Sequence, residues 1–517
     1  MVSGNQVELP ALHATSAFLR QNWLVVLVVS MLVVVPCFWH HHIEAGDLGS
    51  HVYNAWLAQL IAKGQAPGLA LVRQWNNVLF DFALVGLGRV MSLPAAEKII
   101  IVAAVLIFFW GAFGLICTIR SRSADAHTVP WFLLPGLAVF AYGYTFQMGF
   151  VNYYLSVGLA FVALALLVRT GRKADLSLTW EHCFVVMLVP LIWMGHPLGL
   201  FLLMTAGPYI VLTHRLRPSH QLYLFCVAAL LLIAIHFFIR FRHWDFIWRD
   251  DPRLILDGAD QLRLYGDHYA LPSHLFEGFF VASLLLDVVR RRHLPRWWQQ
   301  YLIPLQLYGL AVLATSLLPS FVGVPRHFGE MGVFGFLTER LTSVSAVFAC
   351  CLLATIKPRT WHWVVVGLLS AFVFFLLYRD TGTIDRMEDQ ADNLVRTVPA
   401  GRRILNYVAQ LPGERITNIH LTERACVERC FIYNDYEPLT GQFRIRVRSE
   451  NGIAMNKQGM YDAVRKGKYV VAERDLPLSE IYQCVPDGTK LCIGELAAGQ
   501  ENGQINRAAA LSSNHAP

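Results

Sequence analysis

Three side chains with acid–base chemistry follow an apolar run near the start of the chain. Glu44, Asp47 and His51 lie in the segment "HHHIEAGDLGSHVYNAW", which begins at His40 directly after the apolar residues 23–39. Carboxylates at such a boundary can activate a hydroxyl group, cap a helix, or couple to an ion or a proton. Which of these applies depends on the elements that hold the three side chains.

The composition of the chain is typical of an integral membrane protein. Of its 517 residues, 55% are hydrophobic and only 15% are charged, and the mean hydropathy is +0.44. Because a bilayer core about 30 Å thick needs roughly 20 apolar residues per helix, the sequence predicts a mainly α-helical, polytopic membrane bundle with about eleven spans. The predicted spans are 23–39, 97–119, 130–147, 150–168, 182–195, 198–212, 221–239, 274–289, 302–318, 334–356 and 361–378.

Basic residues are concentrated in the short loops between alternate spans. By the positive-inside rule these loops face the cytoplasm, so residues 1–22 are predicted to be cytoplasmic and residues 380–517 to lie outside. This topology requires that residues 76–95 do not cross, and we predict an interfacial or re-entrant helix there. The net charge of +7 is therefore mainly a signal of topology, and no nucleic-acid partner is expected. The basic loop residues are Arg120, Arg122, Arg169, Arg172, Lys173, Arg215, Arg217, Arg290, Arg291, Arg292, Arg296, Lys357 and Arg359.

The pattern along the chain predicts two domains and a tail. The membrane domain, 23–379, includes an outer loop at 40–96, in which "SHVYNAWLAQLIAKG" has the periodicity of an amphipathic helix lying on the membrane surface. Residues 380–496 are predicted to form a small extracytoplasmic α/β domain, with a helix at "GRRILNYVAQL" and strands at "QFRIRVR", "KYVVAER" and "KLCIGEL". Residues 497–517 are polar and small, which predicts a disordered tail.

The ten cysteines divide between these two domains. Six lie in apolar runs and are expected to be small core residues. The others, Cys426, Cys430, Cys484 and Cys492, lie in the predicted external domain, where an oxidising compartment favours disulfides. The Pro-Asp-Gly turn in "CVPDGTKLC" suits a hairpin closed by a disulfide, but four cysteines allow three connectivities. A zinc site is the alternative, and it needs closer Cys-x-x-Cys spacing.

The run from His40 to His42 also offers metal-ligating side chains. Because consecutive helical residues point about 100° apart, a helical run does not converge three imidazoles on one ion. We therefore predict no metal site there and no certain cofactor, with a divalent cation left open.

The layout resembles that of a known class of membrane enzymes. A first span, an acidic residue just past its outer end, an interfacial helix, about ten further spans and a soluble external domain are typical of the GT-C class of membrane glycosyltransferases. The segments "EAGDLGSHVYNAWLAQLI", "APGL", "QWNNVLFD" and "MGFVNYYLSVGLA" are also similar to those of uncharacterised bacterial membrane proteins placed near that class. The resemblance covers residues 20–380.

The resemblance implies an enzyme that transfers a sugar from a polyprenyl-phosphate-linked donor to a lipid, glycan or protein outside the bacterial cytoplasmic membrane. Asp47 matches the first-loop aspartate of the class and is the expected catalytic carboxylate, which activates the acceptor at the depth of the donor phosphate. Glu44, His51 and His196 are the expected supporting residues. Many relatives carry two adjacent acidic residues there, whereas Glu44 and Asp47 are separated by two residues. A plain helix cap is the alternative for Asp47.

Such an enzyme must also bind a phosphate, for which arginine is suited because its planar fork donates two hydrogen bonds. The segment "GVPRHFGEMGVFGFLTERL" places Arg326, His327 and Arg340 at the outer end of a late span, and these are the predicted phosphate ligands. The alternative is interfacial anchoring, with Glu330 and Glu339 as salt-bridge partners.

A transporter, or a non-catalytic component of envelope assembly, is the second hypothesis. Transporters commonly have related halves and charges near the bilayer midplane. In this sequence the charges cluster at the outer ends of spans and no internal symmetry is evident, which favours the enzyme. The predicted partners are therefore a polyprenyl-phosphate sugar donor and membrane lipids.

Overall fold

The chain folds into a helical membrane bundle that carries small β-sheets at one end. The computed structural model describes residues 11–120, 129–171, 179–241, 246–248, 256–295, 297–325, 331–409, 411, 414–416, 420–440, 443–485 and 488–504. The α-helices are α1 (Ala11–Val34), α2 (Leu48–Ala62), α3 (Leu79–Leu87), α4 (Leu93–Arg120), α5 (Leu134–Ala141), α6 (Tyr144–Gln147), α7 (Val151–Gly171), α8 (Trp180–Gly195), α9 (Pro197–Arg215), α10 (Pro218–Phe241), α11 (Ala270–Arg291), α12 (Gln299–Leu317), α13 (Leu337–Leu353), α14 (Thr360–Val395), α15 (Glu437–Thr440) and α16 (Gln458–Arg465). The strands are β1 (Leu69–Leu71), β2 (Phe246–Ile247), β3 (Phe321–Pro325), β4 (Met331–Phe334), β5 (Arg403–Tyr407), β6 (Phe431–Ile432), β7 (Ile445–Val447), β8 (Leu478–Gln483) and β9 (Leu491–Leu496).

Eight helices within the described residues are long and apolar enough to span a membrane. They are α1, α4, α7, α9, α10, α11, α12 and α14. The other predicted spans form shorter elements, since α8 has 16 residues, α13 has 17, and the stretch 130–147 breaks into α5 and α6. Each predicted stretch is therefore helical, and the polytopic helical fold is confirmed.

The apolar surface of α10 explains why this bundle requires lipid. Leu230 is 64% exposed and Phe238 is 58% exposed, and Gln221 is the one buried residue of the helix as described. Water would not tolerate so large an apolar surface, but a bilayer accepts it. Helices α4 and α7 instead lie at the centre of the bundle, where Phe108 stacks on Tyr154 with ring centroids 4.5 Å apart.

Helix direction places the basic loops and Asp47 at opposite ends of the bundle. Helices α4, α7 and α9 all begin at the end of the bundle that carries Asp47. Each has an arginine in its last turn: Arg120 in α4, Arg169 in α7 and Arg215 in α9. Helix α14 runs in the opposite direction, from Arg359 at its N-cap back toward the end with Asp47. The acidic residues of the first loop are thus separated from the basic loops by the length of the spans.

The first loop contains the predicted helix, although its environment differs from the prediction. Residues 48–58 of α2 are all buried, because the C-terminal region covers the helix. The main-chain N–H of Ile432 donates to the Tyr53 hydroxyl at 3.0 Å, and Trp56 stacks on Phe431. Helix α2 is therefore buried beneath the C-terminal region, and it is not an amphipathic helix on the membrane surface. Helix α3 has nine residues and rises only about 14 Å, which is too short to cross a bilayer.

The C-terminal region contains a four-stranded sheet in the order β6-β5-β8-β9. Strand β9 confirms the prediction at "KLCIGEL", and β7 confirms the one at "QFRIRVR". The helix predicted at "GRRILNYVAQL" is wrong, because its residues form β5 between two parallel neighbours. Ile404 and Leu405 are both fully buried, and a strand covered on both faces lacks the alternation that reveals a strand in a sequence. The segment "KYVVAER" forms only an isolated bridge, from Val470 to Glu501.

Two local crosslinks and one long-range pairing hold this region in place. The disulfides are Cys426–Cys430 and Cys484–Cys492, so the hairpin disulfide predicted in "CVPDGTKLC" is confirmed, and of the three possible connectivities the structure has the local one. Strand β7 pairs antiparallel with β1 of the first loop, which ties the C-terminal region to the segment that carries Asp47. Helix α14 continues without a break across the predicted domain boundary at residue 380. The predicted disordered tail begins at residue 497, but Asn502 is fully buried and the Gly503 N–H donates to Glu480; the tail from 505 onward lies outside the described residues.

Candidate active site

Asp47 is held by its main chain, and its carboxylate does not cap α2. It occupies the N-cap position of the helix, but it makes no side-chain cap hydrogen bond within the described structure, and 22% of its side chain is exposed. The main-chain N–H groups of Gly46 and Asp47 donate to the carbonyls of Gln147 and Met148, at 2.7 and 3.0 Å. The cap alternative is therefore wrong, since the carboxylate accepts no hydrogen bond from the first turn of α2. The backbone of Asp47 is fixed, while its carboxylate stays partly accessible.

Two glycines allow other elements to approach Asp47 closely. Gly149 has φ +76°, and a Cβ atom at this position would lie 2.4 Å from the main-chain nitrogen of Asp47. On the other side of the loop, a Cβ atom on Gly49 would lie 2.7 Å from the carbonyl oxygen of His420. A side chain at either position would separate the elements that surround the carboxylate.

Replacing Gly149 by alanine is expected to lower the thermal unfolding midpoint and to displace Asp47. The left-handed backbone costs an alanine about 1–2 kcal/mol, and the contact with Asp47 adds to this cost. Gly64→Ala is a matched control, because Gly64 has φ +72° but no atom within 4 Å of the added Cβ. Equal destabilisation of the two variants in detergent would contradict a tight clamp on Asp47.

A buried histidine from the C-terminal region faces the carboxylate of Asp47. His420 Nε2 lies 3.6 Å from Asp47 Oδ1, and the opposite ring nitrogen, Nδ1, is hydrogen-bonded to Glu423 Oε1 at 2.6 Å. Burial lowers the pKa of His420, but the charges of Glu423 and then Asp47 outweigh this effect and raise the pKa to about 8. The imidazolium is therefore the main form at neutral pH, and it lies in ion-pair contact with the carboxylate of Asp47.

This histidine is expected to make the protein less stable in mild alkali. Because its pKa rises from 6.5 to about 8 on folding, protonated His420 contributes about 2 kcal/mol below pH 6.5, and this contribution is lost as the pH rises through 8. Asp435 titrates in the same range, so the comparison that isolates His420 is wild type against His420→Gln. The unfolding midpoint of wild type should fall more steeply between pH 6.5 and 8.5; parallel curves would contradict the assignment.

Two further buried carboxylates lie beside His420. Burial, and next the charge of Glu423, raise the pKa of Asp435 to about 8, and burial and Asp435 raise the pKa of Glu437 well above its usual value. Asn54 Nδ2 donates to Asp435 Oδ1 at 3.3 Å. Asp435 Oδ2 and Glu437 Oε1 have no hydrogen-bond partner among the described residues. Oxygen atoms of this kind can accept hydrogen bonds from the hydroxyl groups of a ligand.

His51 pairs with Asp81, which sequence reasoning did not assign to the site. His51 Nδ1 lies 2.7 Å from Asp81 Oδ1, and Asn152 Nδ2 donates to the other carboxylate oxygen at 2.8 Å. Burial opposes ionisation of both groups, but their mutual attraction raises the pKa of His51 and lowers that of Asp81. A cavity opens next to this pair, with Glu437 and Arg444 in its wall.

Arg340 supplies a positive charge near Asp47. Its guanidinium carbon lies 4.1 Å from the ring centroid of Phe150, the neighbour of Gly149, and Nη1 donates to the Gly335 carbonyl at 3.1 Å. Its Nε atom has no hydrogen-bond partner, and no carboxylate pairs with it, in the part of the chain that the structure describes. The charge of Asp47 acts on this guanidinium. An arginine that keeps a donor free in this way can bind an anion.

Four of the predicted site residues lie near one another: Asp47, Arg340, His51 and His196. Asp47 and Arg340 lie together, and His51 lies nearby through Asp81. His196 caps α9 by accepting a hydrogen bond from the Leu198 N–H, and its ring packs edge-on against Tyr153. Tyr153 in turn donates to the Arg340 carbonyl at 2.8 Å.

Three other predicted residues do not join this group. Glu44 faces away, toward Glu388 of α14 and Arg424 of the C-terminal region. Arg326 and His327 fall outside the described residues, as does Glu330. Glu339 accepts hydrogen bonds from the Ser320 and Thr338 hydroxyls.

Comparison with known proteins returns two solved structures of one protein. The crystal structure of ArnT from Cupriavidus metallidurans bound to undecaprenyl phosphate aligns with a TM-score of 0.46 and 11% sequence identity, over 89% of this chain and 93% of that chain. The same protein in the apo state aligns with a TM-score of 0.44 and 11% identity, over 91% and 93% of the two chains. No protein-family model and no curated protein matches the chain.

Proposed function

We propose that this protein is a membrane glycosyltransferase, which moves a sugar from a polyprenyl-phosphate-linked donor to an acceptor hydroxyl outside the cytoplasmic membrane. The observation that carries the proposal is the arrangement around Asp47. A fixed and partly accessible carboxylate lies near both the buried His420–Glu423 pair and an arginine whose Nε donor has no partner among the described residues. These are the groups that sugar transfer from a phosphate requires.

In the proposed reaction, Asp47 accepts the proton of the acceptor hydroxyl while that oxygen bonds to the anomeric carbon of the donor sugar. The bond between this carbon and the phosphate oxygen breaks, and its electron pair leaves with the polyprenyl phosphate. Arg340 stabilises the charge that develops on the phosphate. Asp435 and Glu437 accept hydrogen bonds from sugar hydroxyls.

The orientation in the membrane belongs to the same proposal. The basic ends of α4, α7 and α9 lie opposite the end with Asp47, and basic loops remain on the cytoplasmic side. The site would therefore open on the outer side of a bacterial cytoplasmic membrane, where exported lipid-linked sugars are found. The two disulfides of the C-terminal region suit an oxidising compartment.

The test is transfer by the purified protein reconstituted in lipid vesicles. A panel of radiolabelled polyprenyl-phosphate sugars would be supplied together with an extract of envelope lipids and glycans, and label in acceptor and donor bound to protein would both be measured. Binding and transfer of one donor are expected. If no donor is bound or transferred, the transferase proposal fails, and a transporter or a component of envelope assembly takes its place.

A further inference from the structure

A second polar cluster lies on the other face of the first loop, away from Asp47. Glu44 from the loop faces Glu388 and Asp385 of α14, Glu97 of α4 and Arg424 of the C-terminal region. Arg424 Nη1 pairs with Glu388, and its Nη2 pairs with Glu97 at 2.8 Å and with the Ile43 carbonyl at 3.2 Å. Four separate parts of the chain therefore meet at this point.

The carboxylates in this cluster outnumber the cations. Among the described residues, Arg424 is the one arginine or lysine in ion-pair contact with any of the four carboxylates, and it pairs with two of them, Glu97 and Glu388. One guanidinium cannot neutralise four buried acids, and unpaired buried charge is strongly unfavourable. Additional positive charge would therefore stabilise the ionised form of this cluster, and a bound cation is one way to supply it.

The position of Glu44 indicates where in the cluster a cation would bind. Its side chain is buried, with only 6% of the residue exposed, and its Oε1 atom has no hydrogen-bond partner among the described residues. Native structures rarely leave a buried carboxylate oxygen without a partner. This oxygen belongs to a residue that stands within ligand distance of a histidine and a second glutamate.

Residues His42, Glu44 and Glu388 have the geometry of a metal-ligand set. One ligand atom from each lies within 4.8 Å of the other two, and His42 Nδ1 is 3.7 Å from Glu388 Oε2. Two tetrahedral ligands at zinc distances are separated by about 3.4 Å, so small side-chain movements would complete the site. The bend at residues 40–42 is not helical, which removes the geometric objection to a metal site that a helix would raise.

We propose that His42, Glu44 and Glu388 bind one divalent transition-metal ion, which fixes the first loop to α14. One imidazole and two carboxylates are ligands that Zn²⁺ and Mn²⁺ accept. Asp385 supports the site through the main chain, because its Oδ1 accepts from the His42 main-chain N–H at 2.8 Å. The same oxygen lies 3.1 Å from Nδ1, the ring nitrogen that faces Glu388, so the ion would replace that contact. Glu44 and Asp47 are separated by two residues, so the ion would hold the backbone that carries Asp47.

The test uses the full-length protein in detergent, with Zn²⁺ alone as the probe. After removal of metals by a chelator, protein would be incubated with Zn²⁺, separated from free ion by gel filtration, and analysed by elemental mass spectrometry. One equivalent should remain on the wild type and raise its unfolding midpoint by about 5 °C. Glu44→Gln and Glu388→Gln should each retain less than a tenth of an equivalent.

A matched variant separates this site from its exposed neighbour. His41, His42 and Asp389 also lie within ligand distance of one another, but His41 and Asp389 are exposed, so Asp389→Asn should keep the full equivalent. No retained zinc in the wild type, or loss in Asp389→Asn with retention in Glu44→Gln, overturns the proposal; loss in all three variants overturns the ligand assignment. No sugar donor enters this experiment, so its outcome is independent of the proposed transferase activity.

Discussion

Replacing Asp47 by asparagine is expected to slow sugar transfer about 1,000-fold while the donor still binds. A positioned general base contributes roughly 10²- to 10⁴-fold to such a reaction, and asparagine cannot accept the acceptor proton. Because the substitution removes a negative charge close to Arg340, affinity for the anionic donor should stay the same or increase. Initial rates and donor binding measured on one vesicle preparation would separate the two effects.

The control for this variant is Asp462→Asn, the same chemical change on the exposed surface of α16. It should transfer sugar at the wild-type rate. An Asp47→Asn protein that transfers at the wild-type rate would remove Asp47 from the chemistry. One that loses donor binding together with transfer would indicate instead that the carboxylate organises the site.

The separation of Glu44 from Asp47 explains how this chain departs from the pattern it resembles. Residues 43–45 lie outside regular secondary structure, and α2 begins only at Leu48. The two carboxylates therefore point to different clusters, Asp47 toward His420 and Glu44 toward Glu388. An adjacent pair of acids would place both at one site, whereas this spacing divides them between two.

The membrane helices and the position of Asp47 could be predicted because both depend on local sequence. An apolar run of sufficient length is helical in a bilayer whatever it packs against, and Asp47 directly follows such a run. The helix predicted at "GRRILNYVAQL" failed for the opposite reason. Its conformation as β5 is decided by β6 and β8, which lie far along the chain, and tertiary context overrides local propensity.

The partners of Asp47 could not be predicted for the same physical reason. His420, Glu423 and Asp435 reach the first loop through long-range contacts, among them the pairing of β7 with β1 and the close approach that Gly49 allows. No periodicity in the sequence encodes these contacts. The available signal was chemical: "IHLTERACVERC" places a histidine and an acid three residues apart, beside a disulfide that fixes the loop.

Replacing Arg340 by glutamine is expected to weaken donor binding about 100-fold. A charge-assisted hydrogen bond to a phosphate contributes about 1.5–3 kcal/mol, and Arg340 keeps its Nε donor without a partner in the described structure. Arg340→Lys should recover part of the loss, to about 10-fold weaker binding, because the ammonium keeps the charge but cannot donate through a planar fork. Equilibrium binding of the radiolabelled donor to reconstituted protein gives the dissociation constants of the wild type and of the two variants.

The relative donor affinities of the wild type, Arg340→Lys and Arg340→Gln decide the role of Arg340. Arg217→Gln removes the same charge from an exposed residue at the far end of the bundle, and it should bind the donor as the wild type does. If Arg340 only anchors the loop through Phe150, the lysine and glutamine variants should lose stability together and bind the donor equally. A graded loss of affinity from arginine to lysine to glutamine, at constant unfolding midpoint, requires direct contact with the phosphate, and it would place the donor within reach of Asp47.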